Sequence, residues 1–322
     1  MGPISLVTGG AGFIGSHLVD ELTRLGRPVR VLDDFSTGLR GNLGHVRPRP
    51  EVVEGSLTDP LAVAQAVRGV GTIYHLGALA SVARSVENPL ATHAACATGT
   101  LHLLDAARKA GVKRVVYAAS SSAYGGQAST GGQTEDQPTA ARSPYAAAKL
   151  AGELYMQAFA ASYGLETVRL RFFNIFGPRQ RSDSPYSGVI ALFIRAMSEG
   201  RRPAVHGDGT QGRDFTFVAN AVQALVKAAE APAATVSGNV YNVGTGRSFT
   251  VLDLIAGLND ALGTELEPTF GPTRTGDVRF SRADVSRTRR DVGYDPKVGF
   301  ADGLRQTVEW HLAAQRKPEL VA

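Results

Sequence analysis

Residues 5–17 read SLVTGGAGFIGSH. The apolar residues Ile4, Leu6 and Val7 predict a buried strand, Gly9, Gly12 and Gly15 recur every third residue, and Ile14, Leu18, Leu22 and Leu25 share one face of a following helix. Glycine here answers a steric demand. The turn must reverse sharply, its backbone must come close to a pyrophosphate, and the helix must pack on the strand without an intervening Cβ. The free amides and the positive end of the helix dipole then favour an anion. Spaced glycines alone suit an ordinary turn equally well. These are bracketed by a strand and a helix, and a second strand, 29–32, ends in Asp33, 18 residues after Gly15. A carboxylate at that spacing accepts from both hydroxyls of an adenosine ribose and repels a 2′-phosphate, which favours NAD over NADP.

Composition sets the surroundings of this unit. A chain of 322 residues, 43% hydrophobic, buries a core large enough for one large or two modest domains. One cysteine, Cys96, precludes an internal disulfide and suits a reducing cytoplasm. No apolar run is long enough to span a bilayer, and the chain enters its first strand with no leader-like segment, so neither a membrane nor secretion is expected. The net charge of +5 comes from basic residues spread along the chain, the densest group being Arg287, Arg289 and Arg290, read as a solvated helix face. Nucleic acid is therefore not expected as a partner, whereas a mildly positive surface suits an anionic nucleotide.

Further apolar runs at 52–53, 72–76, 115–119 and 167–170 alternate with helical patterns. Asp59-Pro60 opens one helix, residues 89–110 form a long Ala/Leu-rich one, and Ser143-Pro144 opens another that runs to about Tyr163. The alternation predicts an α/β Rossmann-type doubly wound parallel sheet, with strand C-termini along one ligand-binding edge. Beyond Asn174 it fails. Gly-, Pro- and Arg-rich segments surround helices near 187–199, 218–230, 250–261 and 301–314, with a strand at 240–243. The expected division is a cofactor domain over 1–175, rejoined by chain from about 217–245, and a smaller C-terminal α/β substrate lobe over 176–322.

Tyr145 and Lys149, four residues apart, share a helix face, so the ammonium could lower the phenol's pKa and make it a base. Such pairs are also common on ordinary helices. The run Ser120-Ser121-Ser122 follows a buried strand at the ligand edge, where a hydroxyl can bond the same substrate oxygen, although serine runs are also plain loop punctuation. His75 reads as a satisfied core histidine, and no histidine spacing suggests a metal.

TGGAGFIGSHL at 8–18, HLGALASVARSVENP at 75–89, AASSSAYG at 118–125, SPYAAAK at 143–149, RFFNIFGPRQ at 171–180, GDGTQGRDFTFV at 207–218, NVGTG at 242–246 and GDVRFSRADVS at 276–286 together resemble the extended short-chain dehydrogenases/reductases, and within them the NAD-dependent sugar-nucleotide 4-epimerases. The resemblance covers nearly the whole chain. It implies a cycle in which Tyr145 takes the proton of the sugar 4-hydroxyl while the C4 hydride goes to NAD. The 4-keto sugar then turns over and is reduced on its other face. By the same resemblance Ser120, Tyr145 and Lys149 are catalytic. Gly9, Gly12, Phe13, Ile14, Gly15, Asp33, Ser36, Gly38, Ser56, Leu57, Leu76 and Ala78 line the cofactor with Tyr145 and Lys149. Ser81, Ser120, Ser121, Asn174, Arg213, Arg279 and Ser281 meet a UDP-sugar with Tyr145.

Related dehydratases and decarboxylases carry carboxylates after the hydroxyl, where this chain has Ser121 and Ser122. Ser281 matches the position beside the sugar C2 substituent, where a small residue admits an N-acetyl group. The expected substrate is therefore UDP-N-acetylglucosamine/galactosamine, UDP-glucose/galactose, or both. A UDP-glucuronate 4-epimerase, an oxidoreductase or decarboxylase of the same fold, and a silent NAD-binding scaffold are the alternatives. Two residues depart from the family pattern, Ser56 in place of an Asp and Cys96 in place of an Asn. The helices at 89–110 and 144–163 are those that pair in family homodimers.

Overall fold

The structure, a computed structural model, describes residues 2–126, 131–183, 187–273 and 279–316. Six strands come from the first 172 residues: β1 (Ile4–Thr8), β2 (Val29–Asp33), β3 (Glu51–Glu54), β4 (Val70–His75), β5 (Arg114–Ser120) and β6 (Glu166–Phe172). A seventh strand, Asn239–Val243, completes one parallel sheet in the order seventh-β6-β5-β4-β1-β2-β3. The order reverses between β1 and β4, and ligands enter open α/β sheets at that point, beyond the strand C-termini.

Alternate residues of each strand serve opposite faces. Val7, Val31, Tyr74, Val116 and Val168 join one core, under the helices Phe13–Arg24 and Val218–Glu230. Leu6, Leu32, Ile73, Val115 and Tyr117 join the other, under Pro60–Ala66, Gly99–Lys109 and Pro144–Tyr163. Both faces are covered, which is why β2 is buried along its whole length. Arg114 at the start of β5 ties the sheet to the helix 218–230. It pairs with Glu166 at 2.6 Å and donates to the carbonyls of Ala228, Ala229 and Ala231 at that helix's negative end.

Local chemistry sets the helix boundaries. Asp59 accepts from the Leu61 amide at 2.9 Å with Pro60 in the first turn, and Ser143 accepts from the Ala146 amide at 3.1 Å ahead of Pro144. Gly164, at φ +68°, ends the second of these helices. Two expectations need correction. Leu25 is 41% exposed, because the first helix ends at Arg24; Gly15, Ser16 and Val19 join Leu18 and Leu22 on its buried face instead. The stretch 89–110 is helical throughout but not one α-helix: Pro89–His93 and Gly99–Lys109 flank a π-helical turn over Ala94–Thr98.

The remaining chain builds small sheets at the ligand edge. Gly212–Arg213 lies between Phe249–Thr250 and Phe280–Ser281, Ile175–Phe176 pairs with Thr216–Phe217, and Ala204–His206 pairs with Thr269–Gly271. Asp214, fully buried, knits them together by accepting from the amides of Thr245, Gly246 and Ala283 and from the Thr245 hydroxyl. Arg287, read as part of a solvated face, pairs with Asp136.

Candidate active site

The turn after β1 is shaped for a close neighbour. Gly9 sits at φ +67°, and a Cβ there would lie 2.8 Å from Gly77 Cα. At Gly15 a Cβ would fall 2.0 Å from the Gly9 carbonyl oxygen, and at Gly12 3.1 Å from it. Only glycines pass β1, β4 and the helix this closely. The helix begins at Phe13 with Gly12 as its N-cap and no side-chain cap, so its first amides are free to bind an anion; Phe13 and Ile14 stand half-buried in that turn. Asp33 ends β2 and is buried. It accepts from the Ala11 amide through Oδ2 and from the Phe35 amide through Oδ1, each at 2.9 Å, and burial raises its pKa. Each oxygen keeps a lone pair for a hydroxyl. Gly38 closes on it, where a Cβ would lie 2.9 Å from Asp33 Oδ1, while Ser36, exposed, bonds Asp34. A bare amide cradle ahead of a ribose-spaced carboxylate fits a dinucleotide.

The loop after β4 is held by a directed hydrogen-bond chain. The Gly77 amide donates to Thr8 Oγ1, which stands 2.8 Å from His75 Nδ1; His75 Nε2 lies 2.9 Å from Thr100 Oγ1, which donates to the Cys96 carbonyl. Thr100 thus uses its proton on Cys96 and accepts from His75, which fixes the Nε2–H tautomer. Burial lowers the His75 pKa to about 3 and keeps it neutral. Leu76 lies on the β1 end, bonding the Thr8 carbonyl, and Leu57 packs beside Gly77. Ser56 bonds Thr58. Ala78 packs with Cys96 and Tyr145.

Ser120 ends β5 and Tyr145 opens the helix 144–163, which brings the Ser120 hydroxyl and the phenol to the same place. Burial pushes the phenol's pKa well up, Cys96 adds to this, and the neighbouring Ser120 hydroxyl lowers it. Ser120 Oγ also accepts from the Ser122 hydroxyl at 2.8 Å, and Ser121 opens the short turn that follows. The placement of Lys149 differs from expectation. Its ammonium is buried, donates to the Ala118 carbonyl at 2.8 Å and lies 4.7 Å from the centre of the Tyr117 ring. The helix packs broadside on β5, so a strand carbonyl satisfies the ammonium where solvent cannot. In this arrangement the Ser120 hydroxyl, not the lysine, lowers the phenol's pKa.

On the opposite wall Asn174 is exposed just after β6 at the strained φ of +33°, with its amide 3.4 Å from Ser281 Oγ. Ser281 pairs in register with Arg213, and Arg213 donates to the Arg279 carbonyl at 3.4 Å. These four expected substrate residues therefore stand together. Ser81 caps the helix Val82–Glu87 by accepting from the Arg84 amide. Of the quoted motif at 276–286, residues 276–278 lie outside the described residues. One buried residue beside the site went unread in the sequence: Glu153, a turn beyond Lys149 and paired with Arg171. The repeated spacing of four, 145-149-153, was its signal.

The sequence model of the NAD dependent epimerase/dehydratase family matches residues 5–244. A UDP-glucose 4-epimerase of Mycolicibacterium smegmatis is 39% identical over 313 residues, covering 95% of this chain and 97% of that protein. The crystal structure of a UDP-glucose 4-epimerase from Thermotoga maritima with UDP-glucose superposes with a TM-score of 0.92 at 36% identity, covering 97% and 99% of the two chains. A UDP-N-acetylglucosamine 4-epimerase from Methanobrevibacter ruminantium in complex with UDP-N-acetylmuramic acid gives 0.91 at 35%, covering 97% and 98%. A UDP-N-acetyl-alpha-D-glucosaminuronate decarboxylase and dTDP-glucose 4,6-dehydratases are also among the relatives.

Proposed function

Because this chain belongs to the NAD dependent epimerase/dehydratase family, we propose that it interconverts the C4 epimers of a UDP-hexose, with the N-acetylated hexosamine pair, the plain hexose pair, or both as substrates. The observation that carries the reading is the Tyr145 phenol beside the Ser120 hydroxyl at the end of β5, with serines at 121 and 122 where elimination or decarboxylation needs carboxylates. Gly9, Gly12, Gly15 and Asp33 would hold NAD, which supplies a hydride acceptor that later returns the same hydride. Tyr145 in its phenolate form, which the Ser120 hydroxyl favours against the cost of burial, takes the 4-hydroxyl proton as the C4 carbon is oxidised and gives it back to the same oxygen on reduction. Ser120 bonds that oxygen throughout. With no acid beside the ketone, re-reduction is the exit that these residues serve, and the net reaction consumes no oxidant.

Asn174, Arg213 and Arg279 would orient the diphosphate and sugar from the facing wall, since a guanidinium fork matches phosphate geometry. Ser281, 8% exposed and small, leaves room beside the sugar's C2 substituent. A homodimer would form through the helical stretches 89–110 and 144–163, which carry exposed Leu90, Leu154 and Tyr155. No helix of the described residues is long and apolar enough to cross a membrane; a cytoplasmic setting is proposed on the single free Cys96. The test is epimerisation followed by NMR with UDP-glucose, UDP-galactose, UDP-N-acetylglucosamine and UDP-glucuronate offered separately. Conversion of the acetylated donor supports the reading and the role of Ser281. Conversion of glucuronate alone overturns the specificity, and no conversion of any donor overturns the function.

A further inference from the structure

The chain leaving β6 is fastened to both sides of the cofactor cradle. Asn174 and Arg179 both hold positive φ, at +33° and +66°, so the segment folds sharply. Its base is fixed: a Cβ at Gly177 would lie 2.6 Å from Val218 Cγ1, at the start of the helix 218–230. Its tip meets the helix 13–24 twice, where His17 Nε2 lies 2.9 Å from the Pro178 carbonyl and Arg179 Nη2 donates to Asp20 Oδ2 at 2.7 Å. His45, from the chain that follows Asp33, stands 2.9 Å from Asp20 Oδ1 and 3.3 Å from Arg179 Nη2. Two residues on, Arg181 donates to the Thr37 carbonyl at 3.4 Å, next to Gly38, which closes on Asp33. A non-glycine residue stays in the left-handed region where its surroundings over-determine it, and such residues collect at ligand clamps.

We propose that Arg179 is a positioning residue for NAD: its ion pair with Asp20 fastens residues 177–181 as a strap between the two walls of the cradle, so that the bound dinucleotide leaves only when the strap lifts. The argument is geometric. The helix 13–24 offers its free amides to a pyrophosphate and Asp33 takes the adenosine ribose, so a dinucleotide held by both lies between them. Residues 178, 179 and 181 join those same two elements to each other and to the end of β6. A bridge between the walls of a groove must open before its contents can leave, and closing segments of this kind often set the rate of release. The inference rests on the reading of the glycine turn and Asp33 as the NAD site, and is independent of the sugar.

The test measures release directly. The purified full chain is loaded with NADH, and the loss of bound-nucleotide fluorescence is followed after excess NAD is added, with no sugar nucleotide present. Arg179→Asn removes the guanidinium but suits the left-handed backbone, so the thermal midpoint of the nucleotide-free chain is expected to hold or rise while release speeds about fivefold. Asp20→Asn is expected to speed release by a similar factor. The double variant is then no faster than either single one, because both remove the same interaction. Higher salt is expected to narrow the gap between wild type and variants, since the paired side chains are 17% and 31% exposed and open to screening. Equal release rates in wild type and both single variants overturn the strap and leave the NAD site standing. So does a double variant whose acceleration is the product of the two single ones. A wild-type chain that binds no NADH overturns the site itself, and the strap with it.

Discussion

At the scale of the residue, the proposed reaction depends on one proton leaving and returning through the Tyr145 oxygen. Tyr145→Phe removes that oxygen while keeping the ring in a helix whose cap, Ser143, is untouched. Epimerisation is expected to fall by about 10²–10⁴-fold with an unchanged thermal midpoint, measured by NMR turnover and calorimetry side by side. Ser281→Tyr argues the specificity at the same scale. Its hydroxyl lies beside Asn174, and a ring in that place crowds a C2 substituent. The ratio of kcat/KM for acetylated over plain donors is expected to drop about tenfold or more; an unchanged ratio removes Ser281 from the substrate wall. The spacing of Tyr145 and Lys149 was readable because it is set by the helix period. The lysine's actual acceptor was not, since the Ala118 carbonyl belongs to a strand 31 positions away in the chain.

At the scale of the element, the glycine turn was legible as a turn because its constraint is local: each glycine is required by backbone lying within a few residues or on the next strand. Gly15→Ala places a methyl 2.0 Å from the Gly9 carbonyl, so the helix must retreat from the strand. NAD affinity is expected to fall about ten- to a hundredfold by fluorescence titration. Gly299→Ala, which meets nothing within 4 Å, leaves it unchanged. The π-helical turn at 94–98 left no such mark. It adds no breaker to an Ala-rich run; Thr100 bonds the Cys96 carbonyl within the turn, and the link that ties the turn to the sheet is the one from Thr100 to His75. The same reason hid the short strands of the C-terminal lobe. Gly212–Arg213 has two residues and no period of its own; it pairs with residues 36 to 38 and 68 positions away, drawn in by Asp214.

At the scale of the whole molecule, the half-buried His17 and the buried His75 tie the fold to pH. His17 bonds the Pro178 carbonyl at 2.9 Å and carries the pyrophosphate helix against the loop after β6, and His75 joins the loops after β1 and β4. Burial lowers their pKa values from 6.5 to about 4 and about 3. In the unfolded chain both take up protons near pH 6.5, whereas the folded chain keeps both neutral until well below pH 5. The unfolded state therefore binds more protons as the solution is acidified, so the stabilising effect is complete above pH 6.5 and is lost as pH falls. Each histidine accounts for about 1.4 kcal/mol per pH unit within that window. Asp33, Glu135 and Asp214 oppose the loss, because burial raises their pKa values and the folded state takes up their protons first. The histidine contribution is therefore read as a difference between variants. Between pH 6.5 and 5 the two histidines by themselves account for about 3 kcal/mol of lost stability, and urea unfolding is expected to show His17→Gln removing about half of that loss. A slope that His17→Gln leaves unchanged would mean that His17 titrates normally in the folded chain, and that the contact with Pro178 does not hold the pyrophosphate helix to the rest of the molecule.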